Sequence, residues 1–168
     1  GMVVANAVII RGGYLYVSDT MMIPGSKPLI SGVFRFRLDE AGVELKQPIS
    51  EDPHLITTMK SYHPEIGFGA DGMTFDSKGN LYVGNFADGT LHQVKFDAQG
   101  NPSPSTIFAK ADFMISADGL FFDKVEEKIY VADLMGNAIH VVSMDGTVTT
   151  LAQNGDFHPA EGRLDAPS

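Results

Sequence analysis

Hydrophobic and polar positions alternate along this chain in short runs, and polar turns separate the runs. Segments of about five residues rich in Val, Ile, Phe, Tyr and Thr stand between clusters of Gly, Asp, Asn and Pro. No stretch carries the period of an amphipathic helix. The pattern predicts an all-β protein. Within it one phrase recurs. It reads Asp71-Gly72-Met73-Thr74-Phe75-Asp76 followed by Leu81-Tyr82-Val83-Gly84-Asn85, and again Asp118-Gly119-Leu120-Phe121-Phe122-Asp123 followed by Ile129-Tyr130-Val131-Ala132-Asp133. A looser copy is Asn6-Ala7-Val8-Ile9-Ile10 followed by Tyr14-Leu15-Tyr16-Val17-Ser18-Asp19. A phrase repeated every few tens of residues marks a repeat architecture.

Each repeat reads as four strands. The second predicts strands over 72–76, 81–85, 91–96 and 105–109; the third over 119–122, 128–132, 138–143 and 147–152. The first predicts 7–10, 14–18, 32–38 and 43–48. Tyr82 and Tyr130 are 48 positions apart. Four antiparallel strands in a period of that size describe one blade of a β-propeller. The expected blades span 3–50, 70–110 and 117–153, with a tail over 154–168 leading towards a next blade. Tyr16 and Tyr82 are 66 positions apart, so the first repeat carries extra residues. They fall at 20–31 and 50–69, connections expected on the face where innermost strands begin. Loops over a channel mouth are natural lids.

Three blades do not close a ring, since propellers typically use four to eight. Two arrangements follow: a piece of a longer propeller, or a homodimer completing a six-bladed ring. Either way, an open half ring would expose apolar flanks until they are covered.

Composition narrows the function. A chain of 168 residues with 43% hydrophobic content suits one ordinary domain. It has no Cys, which excludes disulfides, thiolate chemistry and zinc–thiolate sites. Its net charge of −9 argues against a nucleic-acid partner, which needs clustered Lys and Arg. No apolar run is long enough for a membrane helix, so no membrane partner is expected. Neither a Gly-rich phosphate loop, a nucleophile elbow nor a zinc-binding His-Glu helix is present.

The candidate chemistry sits in the repeated phrase. Asn6, Asp71 and Asp118 each precede an innermost strand by one position, which places three oxygen donors at one channel mouth. Carboxylate and amide oxygens suit a hard divalent cation such as Ca²⁺. Asp or Asn before Gly is also ordinary turn chemistry, and that reading stands beside the metal one. Asp19, Asn85 and Asp133 end the second strands and are expected to cap the turns that follow. His92 and His140 occupy matching third-strand positions and read as packing. His63, in the sequence His63-Pro64-Glu65, is the candidate general base in the connection over the mouth. His158 and Glu161 lie in the equivalent C-terminal connection.

The phrase 71–85 resembles the blade signature of the gluconolactonase/regucalcin (senescence marker protein) family of six-bladed propellers, and 118–133 resembles its other repeat form. The resemblance covers nearly the whole chain as about half of a family member. It implies a divalent cation at one channel mouth and hydrolysis of sugar lactones or related esters. It also implies that Asn6 and Asp71 are metal ligands, with Asp118 an additional acid at the next blade and Asp71 doubling as base. The family's metal-binding Glu has no match here, and Asn6 is followed by Ala7 where Gly is usual. Two functions remain open at this point: a metal-dependent lactonase acting on a small-molecule ligand, or a non-catalytic propeller module, as in the related NHL propellers, that binds a small molecule or a protein.

Overall fold

The computed structural model describes residues 2–63 and 65–154. The described residues form twelve strands in three four-stranded antiparallel sheets. The first sheet holds β1 (Ala5–Arg11), β2 (Tyr14–Ile23), β3 (Leu29–Arg37) and β4 (Leu55–Ser61). The second holds β5 (Ala70–Phe75), β6 (Leu81–Asn85), β7 (Thr90–Val94) and β8 (Thr106–Lys110). The third holds β9 (Leu120–Asp123), β10 (Lys128–Asp133), β11 (Ala138–Ser143) and β12 (Val148–Gln153). Neighbours in sequence are neighbours in each sheet. No helix among the described residues is long and apolar enough to cross a membrane.

One strand differs from the sequence expectation. Residues 43–48 form no strand; the fourth strand of the first blade is Leu55–Ser61. The inward positions of that strand are Thr57, Met59 and Ser61. Two of the three are polar, so hydrophobic alternation does not advertise it. A single 3₁₀ turn, Ile49–Glu51, sits in the long β3–β4 connection, and Ile49 packs there against Met22 and Phe34. The extra residues at 20–31 are not an open loop either. β2 runs on to Ile23 and β3 starts at Leu29, so they form a hairpin that extends the two strands. The tail, His158 and Glu161 lie outside the described residues.

The blades pack through their innermost strands, with β5 against β1 and β2, and β9 against β5. The repeated phrase explains why. Tyr16, Tyr82 and Tyr130 hold one register position, each opposite the innermost strand of its own sheet. Tyr16 is buried against the second blade, its ring edge-on to Phe75 with centroids 5.0 Å apart. Tyr82 is buried in the next interface, in a cluster with Leu91, Met114, Phe122 and Ile129. Side chains of this size contribute about 2 kcal/mol each when buried. Arg11 and Arg35 hold the opposite ends of the strands. The Arg11 Nη1 donates to the Asp76 carbonyl at 3.3 Å, and the Arg35 Nη1 donates to the Gly100 carbonyl at 2.8 Å.

A carboxylate pair at a shared bulge

Every innermost strand opens on a bulge. In the first blade Ala5 faces Asp19 and Val8 faces Val17, so Asn6 and Ala7 together oppose Ser18. In the second, Ala70 faces Asn85 and Met73 faces Val83, so Asp71 and Gly72 oppose Gly84. In the third, the Asp118 N–H donates to the Ala132 carbonyl at 3.0 Å and the Ala132 N–H donates to the Gly119 carbonyl at 2.9 Å. One extra residue on one strand is what re-aims a side chain at the end of a sheet. Asn6, Asp71 and Asp118 are therefore equivalent in backbone register.

Gly72 makes their approach possible. Its N–H donates to the Asp118 carbonyl at 3.1 Å, and a β-carbon at residue 72 would overlap that same oxygen. Gly84 is similarly confined beneath the Ala117 carbonyl. The glycines of the phrase thus answer to the close passage of adjacent blades.

The three side chains meet different environments. Asp71 is only 5% exposed, and no described residue donates a hydrogen bond to its carboxylate. Burial and then repulsion from Asp118 push its pKa up to about 7. Asp118 is half-buried and is also raised, by burial. Asn6 is exposed. Among the described residues no group of three His, Asp or Glu side chains is clustered tightly enough to hold a metal by itself.

The second-strand residues Asp19, Asn85 and Asp133 behave differently, as hydrogen-bonded anchors; Asn85 and Asp133 close β6 and β10, and Asp19 lies inside the longer β2. The Asp19 carboxylate accepts from the N–H groups of Val3 at 2.7 Å, Val4 at 3.0 Å and Met21 at 3.2 Å. Asn85 accepts from the Ser61 hydroxyl at 2.8 Å and donates to the Lys60 carbonyl at 3.1 Å. Asp133 accepts from the N–H groups of Ile115, Ser116 and Gly136 at 2.7–2.9 Å and from the Ser116 hydroxyl at 2.8 Å. It also meets His140 Nε2 at 3.1 Å. Burial opposes its charge, but these donors prevail and hold its pKa below the usual carboxylate range. Asp19 and Asp133 tie their second strands to the chain segment that leads into the innermost strand of the same blade, and Asn85 ties β6 to the end of β4. Sequence reading expected caps and missed this long-range partnership, because a donor 17 positions away leaves no local signal.

His92 and His140 are buried packing residues. The first blade carries Phe34 at the same register, opposite Val17 as the histidines are opposite Val83 and Val131. Ser116, Asp133 and His140 share hydrogen bonds, but all three are buried and the serine binds the acid, not the imidazole. The arrangement locks a sheet and carries no nucleophile.

His63 lies elsewhere. It is exposed, its N–H donates to Asp88 Oδ1 at 2.9 Å, and its Nδ1 accepts from the Glu65 N–H at 3.3 Å. It lines a cavity of about 420 Å³ between the β2–β3 hairpin and the β4–β5 connection, with Met21, Lys27, Leu29, Tyr62 and Ile66. Asn6, Asp71 and Asp118 do not line it. The cavity opens at the end of the blades where the innermost strands begin.

A candidate gluconolactonase matches 97% of this chain over 48% of its own, at 18% identity and a TM-score of 0.57. A luciferin-regenerating enzyme matches 89% of this chain over 45% of its own, at 14% identity and a TM-score of 0.60. A gluconolactonase from Xanthomonas campestris matches 87% over 46%, at 15% identity and a TM-score of 0.55. The chain folds as three blades of a gluconolactonase-like β-propeller. It spans about half the length of the solved structures it matches. No protein-family model and no curated protein matches it. At these identities the likeness is one of fold, and function rests on the site.

Proposed function

We propose that the chain carries part of a metal-dependent hydrolase site of gluconolactonase type, acting on a sugar lactone or a similar small ester. The observation that carries this reading is Asp71: a buried carboxylate, aimed by a bulge, lacking any described hydrogen-bond donor and set beside a second acid. A structural carboxylate in this fold looks like Asp133, surrounded by donors. Asp71 is kept without them, at a cost to folding that a binding partner would offset.

The donor chemistry fits a hard cation. Asp71 and Asp118 would hold a divalent ion, Ca²⁺ first among candidates, with the amide oxygen of Asn6 as third ligand. Such an ion supplies Lewis-acid polarisation of the ester carbonyl. The chain's own residues supply the rest. Asp71 would also take a proton from an attacking water. His63 offers an imidazole at the wall of the cavity. The hairpin and the β4–β5 connection enclose an apolar and polar lining of a size suited to a sugar-sized ligand.

The binding-module reading keeps one observation in its favour, that the cavity is not lined by the acids. Hydrolysis of a six-membered sugar lactone, followed by proton release with Ca²⁺ or with chelator, separates the two. The hydrolase reading expects turnover with Ca²⁺, none with chelator, and a loss of about 100-fold or more in Asp71→Ala. Binding of the lactone without turnover in either condition would favour the module.

A further inference from the structure

The two outer flanks of the three-blade array are built like halves of the interfaces inside it. Met73 and Phe75 on β5 face the first blade and are 6% and 7% exposed. Their register equivalents on β1 are Val8 and Ile10, which face away from the second blade and are 65% and 64% exposed. At the far end, β9 turns Leu120 and Phe122 towards the second blade, and Phe121 points the other way at 66% exposure. Tyr130 shares that outward face, paired with Phe121 and Val141. Its equivalents Tyr16 and Tyr82 are buried against the blade that follows each of them. The first flank therefore has the receiving surface of a blade, and the third has the donating surface.

We propose that a second copy of this chain covers both flanks, with Val8 and Ile10 of each copy packing on Phe121 and Tyr130 of the other. The contact continues an established interface, because it repeats the junction of blades one and two and of blades two and three. Unlike flanks meet at both junctions, so the association closes on itself as a two-fold ring of six blades. The registers then bring Asn6 of the partner subunit next to Asp118, as Asp118 stands next to Asp71. Each cation-binding arc is in this way completed across the junction.

The test uses the full 168-residue chain, which has no Cys of its own. Light scattering at tens of micromolar is expected to give the mass of two chains. Val8→Lys with Ile10→Lys changes only exposed side chains; circular dichroism checks that the fold persists. It is expected to give single chains, with association weakened about 100-fold or more against the parent affinity. Val8→Cys with Phe121→Cys should yield covalent dimers with a short bis-maleimide, and Val8→Cys alone should not. Three results would overturn the proposal. A folded monomer at these concentrations would assign the flanks to blades joined in the same polypeptide. Efficient cross-linking of Val8→Cys alone would mean that like flanks pair. Open polymers would mean that the ring does not close.

Discussion

The backbone N–H of Gly72 donates to the Asp118 carbonyl, and this bond joins the opening bulges of two adjacent blades. It sets the separation of the innermost strands at the end where Asp71 and Asp118 sit. A β-carbon at residue 72 has no room there. Gly72→Ala is expected to destabilise the fold by about 2 kcal/mol or more, through displacement of β5 from β9. Gly100, which has open space around it but a left-handed φ of +80°, is the control. Gly100→Ala is expected to cost about 1 kcal/mol. Urea unfolding of both variants checks the difference.

Asp71 makes stability depend on pH in an unusual direction. Its folded pKa of about 7 lies above the ordinary value of 3.8. Between those values the folded chain holds a proton that the unfolded chain has released. Its contribution to stability therefore falls as pH rises from about 4 to about 7. Asp71→Asn removes that dependence. With chelator present, the variant is expected to gain about 1–3 kcal/mol relative to the parent at pH 8, and to be near the parent at pH 4. Denaturant midpoints at the two pH values measure it.

Asp133 runs the other way. Its folded pKa is held below the ordinary value by donors from Ile115, Gly136, Ser116 and His140. The stabilisation is present in full above the unfolded value and is lost as pH falls through the folded one. Asp133→Ala leaves several buried donors without an acceptor and is expected to cost about 3–5 kcal/mol at pH 7. The deficit against the parent shrinks in acid, as the pH falls through the folded value and the parent's carboxylate is protonated as well. Thermal unfolding at both pH values follows it.

Much of this was legible in the sequence, and the reasons are specific. β6 and β11 were placed to the residue because Leu-Tyr-Val and Ile-His-Val-Val runs sit between Gly, Asn and Asp turns. The equivalence of Asn6, Asp71 and Asp118 followed from the same phrase, and the bulge explains it physically. β4 was hidden because Thr57 and Ser61 occupy inward positions. The contrast between a bare Asp71 and a fully bonded Asp133 was not legible, because donors to Asp133 come from a different strand connection. His63 was expected near the mouth, and it lines a cavity that the acids do not reach.

The hairpin and the β4–β5 connection give the cavity its walls, so substrate choice is expected to lie there. Lys27→Ala and Tyr62→Ala are expected to raise KM for a lactone about tenfold with little change in kcat. Both residues line the cavity, and the carboxylate pair does not. Steady-state kinetics in Ca²⁺ reads the split.

Calorimetric titration of Ca²⁺ into the chelator-treated chain at pH 7.5 reads the proposed cation site of Asp71 and Asp118 itself. Saturable binding is expected, lost in Asp71→Asn and weakened about tenfold or more in Asp118→Asn, with both variants still folded. Absence of binding in the parent chain, or equal binding in Asp71→Asn, would contradict it.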